Sequence, residues 1–177
     1  MNYKNNLFKN VKLLILDVDG VLTRGEIIYD DKGREFKVFN VQDGLGVSLL
    51  GKAGIKTILL TARDSAVVHR RAKDMRVSEV IAGVLPKESV LASICAKYKV
   101  KPKDICFVGD DLIDVGLMER IGVPATVSDA PKAVKKYASY VTKRGGGKGA
   151  VREIIELIWQ AQHLEDRILK IVKNLAK

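Results

Sequence analysis

Long apolar runs are missing from this chain of 177 residues, and that absence excludes a membrane protein. No stretch approaches the ~20 consecutive apolar residues that a membrane-spanning helix needs. The first residues, MNYKNNLFKN, also lack the apolar region and the small-residue cleavage site of a secretory signal. We therefore expect a soluble, cytoplasmic protein that has no membrane partner.

Cysteine is almost absent. The only two, Cys95 and Cys106, lie in apolar stretches and show neither CxxC spacing nor a framework of pairs. A disulfide scaffold and a cysteine-based zinc site are therefore excluded, and we expect both thiols to be reduced core residues.

Aromatic residues make up only 6% of the chain, too few for an obvious platform on which bases could stack. The formal charge of +10 would suit a nucleic-acid partner, but the Lys and Arg residues are scattered among acidic ones and form no recurring basic block. The charge therefore indicates a solvated surface that also attracts a small anionic substrate.

Short apolar runs bounded by turn residues recur along the chain, with helical patterns between most of them. They are KLLIL (12–16), KTILL (56–60), EVIAG (79–83), ICFVG (105–109), ATV (125–127) and SYVT (139–142). This alternation predicts a single α/β domain over 1–177, with a mainly parallel sheet in a three-layer, Rossmann-like fold.

The segment 26–41 breaks this pattern, because it alternates with a period of two around Asp31, Lys32 and Gly33. It predicts a β-hairpin inserted after the first strand, followed by one helix over about 44–53. That connection leaves no room for a separate cap domain. At the other end of the chain, the apolar pattern predicts one helix over about 150–176.

The stretch LLILDVDGVLT places two carboxylates, Asp17 and Asp19, at the end of the first apolar run. Side chains two residues apart in an extended chain project in the same direction, so the two charges repel unless a cation or hydrogen-bond donors compensate. One interpretation is a turn in which both face water. The other is a metal-dependent site at the carboxyl end of a strand.

Further polar side chains follow the other predicted strands, and they favour the second interpretation. Each has a simpler explanation as a helix cap or a solvated residue, but their order along the chain matches the ends of successive parallel strands. They are Thr61, Arg63, Lys87, Asp110, Asp111 and Asp114.

The set DVDGVLT, LLTAR, Lys87 and GDDLID resembles the four motifs of the haloacid dehalogenase superfamily of phosphohydrolases. The resemblance implies that Asp17 attacks phosphorus and forms an aspartyl-phosphate, and that Asp19 is the general acid and base. It implies Mg²⁺ on Asp17, on the backbone carbonyl of Asp19 and on Asp110, an all-oxygen set that suits this ion.

The same resemblance assigns supporting roles. Thr61, with Ala62 beside it, and Lys87 would bind the phosphoryl oxygens, while Asp111 and Asp114 would hold waters or Lys87. The hairpin with FNVQDGLG and the late stretch YVTKRGGGKGAVREIIELI are similar to the capless, tetrameric branch of the superfamily.

That branch implies a phosphorylated sugar acid of lipopolysaccharide biosynthesis as substrate, and a homotetramer whose hairpins form a central barrel. It places Asn40, Gln42, Asp43, Gly44, Arg63 and Arg71 near the substrate. It also implies that Gly145–Gly149 resembles a flexible tail that folds over an active site, although glycines before a helix also suit a loop and cap.

Two residues depart from the pattern of that branch. Gln42 and Ser48 stand where arginines are expected, which removes up to two charge-assisted contacts to a carboxylate or phosphate, whereas Arg63 matches. A phosphatase of other small sugar phosphates or of nucleic-acid ends therefore remains an alternative. A non-catalytic oligomerisation module is disfavoured, because the residues expected to carry the chemistry are all present.

Overall fold

The strands form where short apolar runs end in turn residues, and together they confirm the predicted α/β architecture. The computed structural model describes residues 3–175. Its strands are Leu13–Leu16 (β1), Ile28–Tyr29 (β2), Glu35–Phe36 (β3), Lys56–Leu60 (β4), Glu79–Ile81 (β5), Ile105–Gly109 (β6), Val123–Thr126 (β7) and Tyr140–Val141 (β8). Six of them form one sheet in the order β5-β4-β1-β6-β7-β8, and each neighbouring pair is parallel.

Helices cover both faces of this sheet, so that the domain has three layers. They are Tyr3–Phe8 (α1), Val41–Lys52 (α2), Ala66–Met75 (α3), Leu91–Tyr98 (α4), Val115–Met118 (α5), Lys132–Lys135 (α6), Ala150–Ala161 (α7) and Glu165–Leu175 (α8). Leu14 and Leu16 pack into the core shared with α1, α2, α3, α7 and α8, while Leu13 and Ile15 face the core shared with α4, α5 and α6. No helix within residues 3–175 is long and apolar enough to cross a membrane.

The predicted hairpin lies between β1 and α2. Ile28 pairs with Phe36 and Tyr29 with Glu35, and the Asp30 carboxylate closes the turn by accepting backbone N–H bonds. Within the described residues, only this hairpin and α2 lie between β1 and β4, so the prediction that no cap domain is present is confirmed.

The C-terminal helix is divided, whereas the sequence pattern predicts one helix over 150–176; residue 176 itself lies outside the described residues. His163 adopts a left-handed backbone conformation, with φ 55°. The Leu164 N–H donates to the Trp159 carbonyl at 2.9 Å, which is the closing bond of a helix C-cap. The Gln162 side chain donates to two carbonyls at and after the end of α1, so tertiary contacts end this helix.

Smaller differences concern element ends and one thiol. The strand predicted over 125–127 begins at Val123, two residues earlier. The prediction missed this start because proline, here Pro124, is uncommon inside strands. The helix predicted over 44–53 begins at Val41, because the Asn40 side chain caps it. Cys106 is buried as expected, but Cys95 is only partly buried, which corrects its assignment to the core.

Candidate active site

A pocket of about 230 Å³ lies at the carboxyl ends of β1, β4 and β6, where a parallel sheet of this order brings polar side chains together. Its lining residues are Asp17, Asp19, Gly25, Thr61, Ala62, Arg63, Asp110, Asp111 and Ile113. The structure therefore unites most of the side chains that the sequence places at strand ends.

Asp17 is held rigidly at the base of this pocket. Its backbone N–H continues the pairing with β6 by donating to the Val108 carbonyl at 2.9 Å, and its carboxylate lies 2.9 Å from Lys87 Nζ. Burial raises the pKa of Asp17 to about 6, although the Lys87 charge opposes that rise. A carboxylate in this position keeps one oxygen near a cation and is shielded from bulk water.

Lys87 is fully buried, and its ammonium bridges two carboxylates. Its Nζ lies 2.5 Å from Asp114 Oδ1 as well as beside Asp17. Burial alone would lower the pKa of Lys87, but the two carboxylates together raise it. A charged lysine is therefore kept at the place where a bound phosphate would need one.

Three carboxylates at this edge, those of Asp17, Asp110 and Asp114, each offer an oxygen within 4.8 Å of the others. Asp114 is already engaged, because it accepts from Lys87 and from the backbone N–H groups of Asp110 and Asp111. Asp110 Oδ1 is buried and has no hydrogen-bond partner among the described residues. Burial and then the neighbouring negative charges raise the pKa of Asp110 to about 8, as expected for a carboxylate in a group that could hold a cation.

The loop after Asp17 leaves space for the Asp110 side chain because it contains Gly20. A Cβ on Gly20 would lie 1.9 Å from Asp110 Oδ2, and Gly20 itself has φ +88°, a conformation that glycine adopts without strain. The glycine that follows the two aspartates thus lets two strand ends approach each other.

Asp19 contacts Lys37, which in turn contacts Glu35, and the sequence reasoning singled out neither Lys37 nor Glu35. The Lys37 ammonium contacts Asp19 Oδ1 and lies 3.4 Å from Glu35 Oε1, and the Lys37 side chain has no exposed surface. The sequence pattern that could have identified these residues is the alternation in the hairpin, which places Glu35 and Lys37 on the face opposite to Phe36.

The end of β4 forms the rim of the pocket. The Thr61 hydroxyl accepts the Arg63 N–H at 3.2 Å, and the Arg63 guanidinium donates to Glu35 at 2.9 Å and to the Tyr29 hydroxyl at 3.1 Å. Arg63 Nε lies 3.9 Å from Asp19 Oδ2, and the Arg63 side chain is 40% exposed. A cation with free donors therefore stands beside the open side of Asp19.

Known proteins are similar to this chain in sequence and in fold. Residues 71–154 match the family model described as haloacid dehalogenase-like hydrolase. The 3-deoxy-D-manno-octulosonate 8-phosphate phosphatase of Escherichia coli K12 is 38% identical over 154 residues, which are 87% of this chain and 82% of that protein.

This chain belongs to the haloacid dehalogenase-like hydrolases. The crystal structure of 3-deoxy-D-manno-octulosonate 8-phosphate phosphatase from Moraxella catarrhalis, in complex with magnesium ion, phosphate ion and KDO, superposes with a TM-score of 0.92 at 37% identity and covers 97% of this chain and 99% of that one. The enzyme of the same name from Yersinia pestis gives 0.88 at 35% identity, with 90% and 86% covered.

Besides the buried Lys87, five of the predicted substrate contacts of this hydrolase do not line the pocket of the single chain. They are Asn40, Gln42, Asp43, Gly44 and Arg71, all at or against the start of α2. Asn40 Oδ1 accepts the N–H groups of Gln42 and Asp43, and Arg71 donates to the Asn40 carbonyl at 3.0 Å. Their contacts are those of a helix start, and their part in binding substrate stays a prediction.

Asp43 and Asp111 also have structural contacts of their own. Asp43 is fully buried, and its Oδ1 accepts the Arg152 N–H at 2.7 Å, in the first turn of α7. Asp111 lines the pocket, but its side chain caps the N–H of Leu112, so the Lys87 ammonium is held by Asp114 and not by Asp111.

The glycine-rich segment of the hydrolase is a packed loop that leads into α7. The Gly146 N–H donates to Asp129 at 2.9 Å, and the Gly147 N–H donates to the Val21 carbonyl at 3.0 Å. A Cβ on Gly146 would lie 1.7 Å from the Gly20 carbonyl oxygen. The segment therefore has the contacts of a loop and cap in the single chain, and its resemblance to a tail that folds over an active site stays a prediction.

Proposed function

We propose that this hydrolase is a magnesium-dependent phosphatase of phosphomonoesters that works through an aspartyl-phosphate on Asp17. The observation that carries the proposal is the buried Lys87, whose ammonium bridges Asp17 and Asp114 next to the unpartnered oxygen of Asp110. A carboxylate nucleophile that must approach a phosphate dianion needs cations on both sides, and this arrangement supplies one and leaves a place for another.

The donor set fits Mg²⁺. Asp17 and Asp110 offer carboxylate oxygens, the Asp19 backbone adds a carbonyl, and hard oxygen ligands are those that this ion prefers. The raised pKa values of Asp17 and Asp110 agree with a cation site, because a bound cation would stabilise both carboxylates in their charged form. When bound, the ion offsets the repulsion between the carboxylates and the phosphate.

Different residues of the chain then carry out the separate steps of the reaction. An Asp17 oxygen forms a bond to phosphorus, and the bond from phosphorus to the leaving oxygen breaks. Asp19 gives its proton to that oxygen and afterwards takes a proton from the water that hydrolyses the aspartyl-phosphate. Thr61 and Lys87 hold the phosphoryl oxygens while charge redistributes.

We propose 3-deoxy-D-manno-octulosonate 8-phosphate as the substrate, and the cytoplasm as the place of the reaction. Relatives that carry this name are 38% identical over most of the chain. Arg63 supports the choice, because its half-exposed guanidinium stands at the rim of the pocket and suits a substrate carboxylate.

We also propose that the chain forms a homotetramer. The hairpin and the start of α2 expose a set of large apolar side chains that the domain itself does not cover: Ile27, Ile28, Tyr29, Phe36, Val38, Val41 and Leu45. Large apolar side chains left exposed together on one hairpin and one helix start mark a protein interface, and a neighbouring subunit would close the open pocket.

A phosphate-release screen tests the function. It compares 3-deoxy-D-manno-octulosonate 8-phosphate, other sugar phosphates, nucleotides and 5′- or 3′-phosphorylated oligonucleotides, each with Mg²⁺ and with EDTA. The proposal predicts the highest kcat/KM for the eight-carbon keto acid phosphate and no turnover with EDTA. Equal turnover of all sugar phosphates would contradict the substrate, and turnover that EDTA leaves intact would contradict the mechanism.

A further inference from the structure

Strand β3 and the residues after it present two different faces. Phe36 and Val38 point outward and are 50% and 66% exposed. Glu35 and Lys37 lie on the other face, where the Lys37 ammonium contacts the carboxylates of both Asp19 and Glu35. The alternation of an extended chain thus gives one short segment an apolar outer face and a charged inner face.

The burial of Lys37 is unusual for a lysine. Its side chain has no exposed surface, and it is not among the residues that line the pocket. Removing an ammonium from water costs several kcal/mol unless good partners compensate. Here the partners are the Asp19 carboxylate and, at 3.4 Å, the Glu35 carboxylate.

Lys37 engages only one oxygen of Asp19. Its Nζ donates to Oδ1, whereas the cation closest to Oδ2 is Arg63, whose Nε is 3.9 Å away and beyond hydrogen-bond distance. Oδ2 is therefore the oxygen that stays available to carry a proton toward the pocket.

We propose that Lys37 is a positioning residue that orients Asp19 as the general acid. This inference rests on the proposed function. In the first step an Asp17 oxygen bonds to phosphorus, the electron pair of the broken bond goes to the leaving oxygen, and the proton on Asp19 Oδ2 moves to that oxygen. Lys37 fixes the other oxygen, so that the proton points at the leaving group.

Glu35 holds Lys37 in place and attaches the hairpin to the sheet. Its two oxygens accept from Arg63, at 2.9 Å, and from the Ser65 hydroxyl, both in the segment after β4. These contacts connect β3 to the rim of the pocket. The hairpin therefore contributes to the chemistry through its inner face, independently of what its outer face contacts.

The test compares two leaving groups. A sugar alkoxide is a poor leaving group that needs a proton, whereas p-nitrophenolate departs without one. For Lys37→Met we expect kcat/KM for 3-deoxy-D-manno-octulosonate 8-phosphate to fall by ~10- to 100-fold, the range that a misplaced catalytic group costs. For p-nitrophenyl phosphate the loss should stay within about threefold, which also shows that the variant is folded and binds phosphate.

Two further variants serve as controls. Lys37→Arg, which keeps a cation and a donor, should recover part of the lost activity toward the sugar phosphate. Lys32→Met, which removes an exposed lysine at the turn of the same hairpin, should behave like the unmodified enzyme toward both substrates. Equal losses on both substrates with Lys37→Met, or no loss on either, would overturn the inference.

The outcome also separates this inference from the proposed function. If the unmodified enzyme releases phosphate from neither substrate, the proposed function fails and this inference fails with it. If the unmodified enzyme turns over both substrates and Lys37→Met shows no dependence on the leaving group, only the role of Lys37 is refuted.

Discussion

At the scale of single residues, the site depends on how its charges compensate one another. Lys87 holds Asp17 and Asp114 together, and Asp110 keeps a buried oxygen that no described residue satisfies. Removing one partner of such a group leaves an unpaired buried charge, which costs far more than removing an exposed charge. Each of these side chains is therefore fixed by its neighbours before substrate arrives.

Arg63 is the residue on which substrate choice should depend. If its guanidinium meets the substrate carboxylate, Arg63→Ala should lower kcat/KM for 3-deoxy-D-manno-octulosonate 8-phosphate by ~10- to 100-fold, the ~1.5 to 3 kcal/mol of a charged hydrogen bond. An aryl phosphate, which has no carboxylate, should be nearly unaffected. Steady-state kinetics on both substrates measure this, and equal losses would assign Arg63 to the phosphate or to the hairpin contacts with Glu35 and Tyr29.

At the scale of elements, the loop before α7 supports the loop that follows β1. Because a Cβ on Gly146 would lie 1.7 Å from the Gly20 carbonyl oxygen, Gly146→Ala must displace the backbone that carries Asp19. We expect a loss of ~1 to 3 kcal/mol in the free energy of unfolding and at least a tenfold loss of kcat.

A matched variant exists for that substitution. Gly51 lies in α2, and a Cβ there would meet nothing within 4 Å, so Gly51→Ala should leave kcat unchanged and stabilise the fold by up to ~1 kcal/mol. Chemical denaturation and kinetics of both variants make the comparison. Equal activities of the two variants would show that the contact between the loops has no effect on the site.

Asp43 connects α2 to α7 and gives stability a pH dependence. Burial raises the pKa of Asp43 to about 6 from the ordinary value of 3.8, so the folded state holds a proton that the unfolded state releases. The stabilisation that the protonated Asp43 carboxyl gives the fold is complete below the pKa that Asp43 has in the unfolded chain. It is lost as the pH rises through about 6. The free energy of unfolding of Asp43→Asn, relative to the unmodified protein, should therefore rise by about 1 kcal/mol between pH 5 and pH 7.5.

Denaturant titrations of both proteins at the two pH values, at one protein concentration, measure that difference. A difference that does not change with pH would mean that the Asp43 carboxyl has the same pKa in the folded and unfolded chains.

At the scale of the whole molecule, the apolar outer face of the hairpin predicts assembly. The unmodified protein should scatter light as a tetramer at micromolar concentration. Phe36→Asp, which places a charge in the proposed interface, should give smaller species, because burying an unpaired carboxylate costs several kcal/mol. Leu169→Asp is the control, because Leu169 is 56% exposed on α8, outside the hairpin, and that variant should remain a tetramer. A monomeric unmodified protein would refute the proposed assembly.

The sheet, the absence of a cap and the pocket residues were predictable, because apolar runs with turn residues fix strands and parallel strands align their carboxyl ends. Lys37 was missed because a lysine in a hairpin gives no sign of burial until the hairpin is folded onto the sheet. The break at His163 was missed because contacts from the end of α1 determine it. Asp43 and Arg71 contact the backbone of neighbouring elements in the single chain, and their contact with substrate stays a prediction.

The central claim is that Asp17 attacks phosphorus with the help of a divalent cation. The most direct measurement is phosphate release by Asp17→Asn, which keeps the size of the side chain and removes the nucleophile, beside Asp31→Asn, an exposed position in the hairpin turn. We expect Asp17→Asn to lose at least ~10³-fold in kcat on every substrate, Asp31→Asn to keep full activity, and EDTA to abolish turnover until Mg²⁺ is restored. Phosphate release by Asp17→Asn at a rate near that of the unmodified enzyme would contradict the central claim.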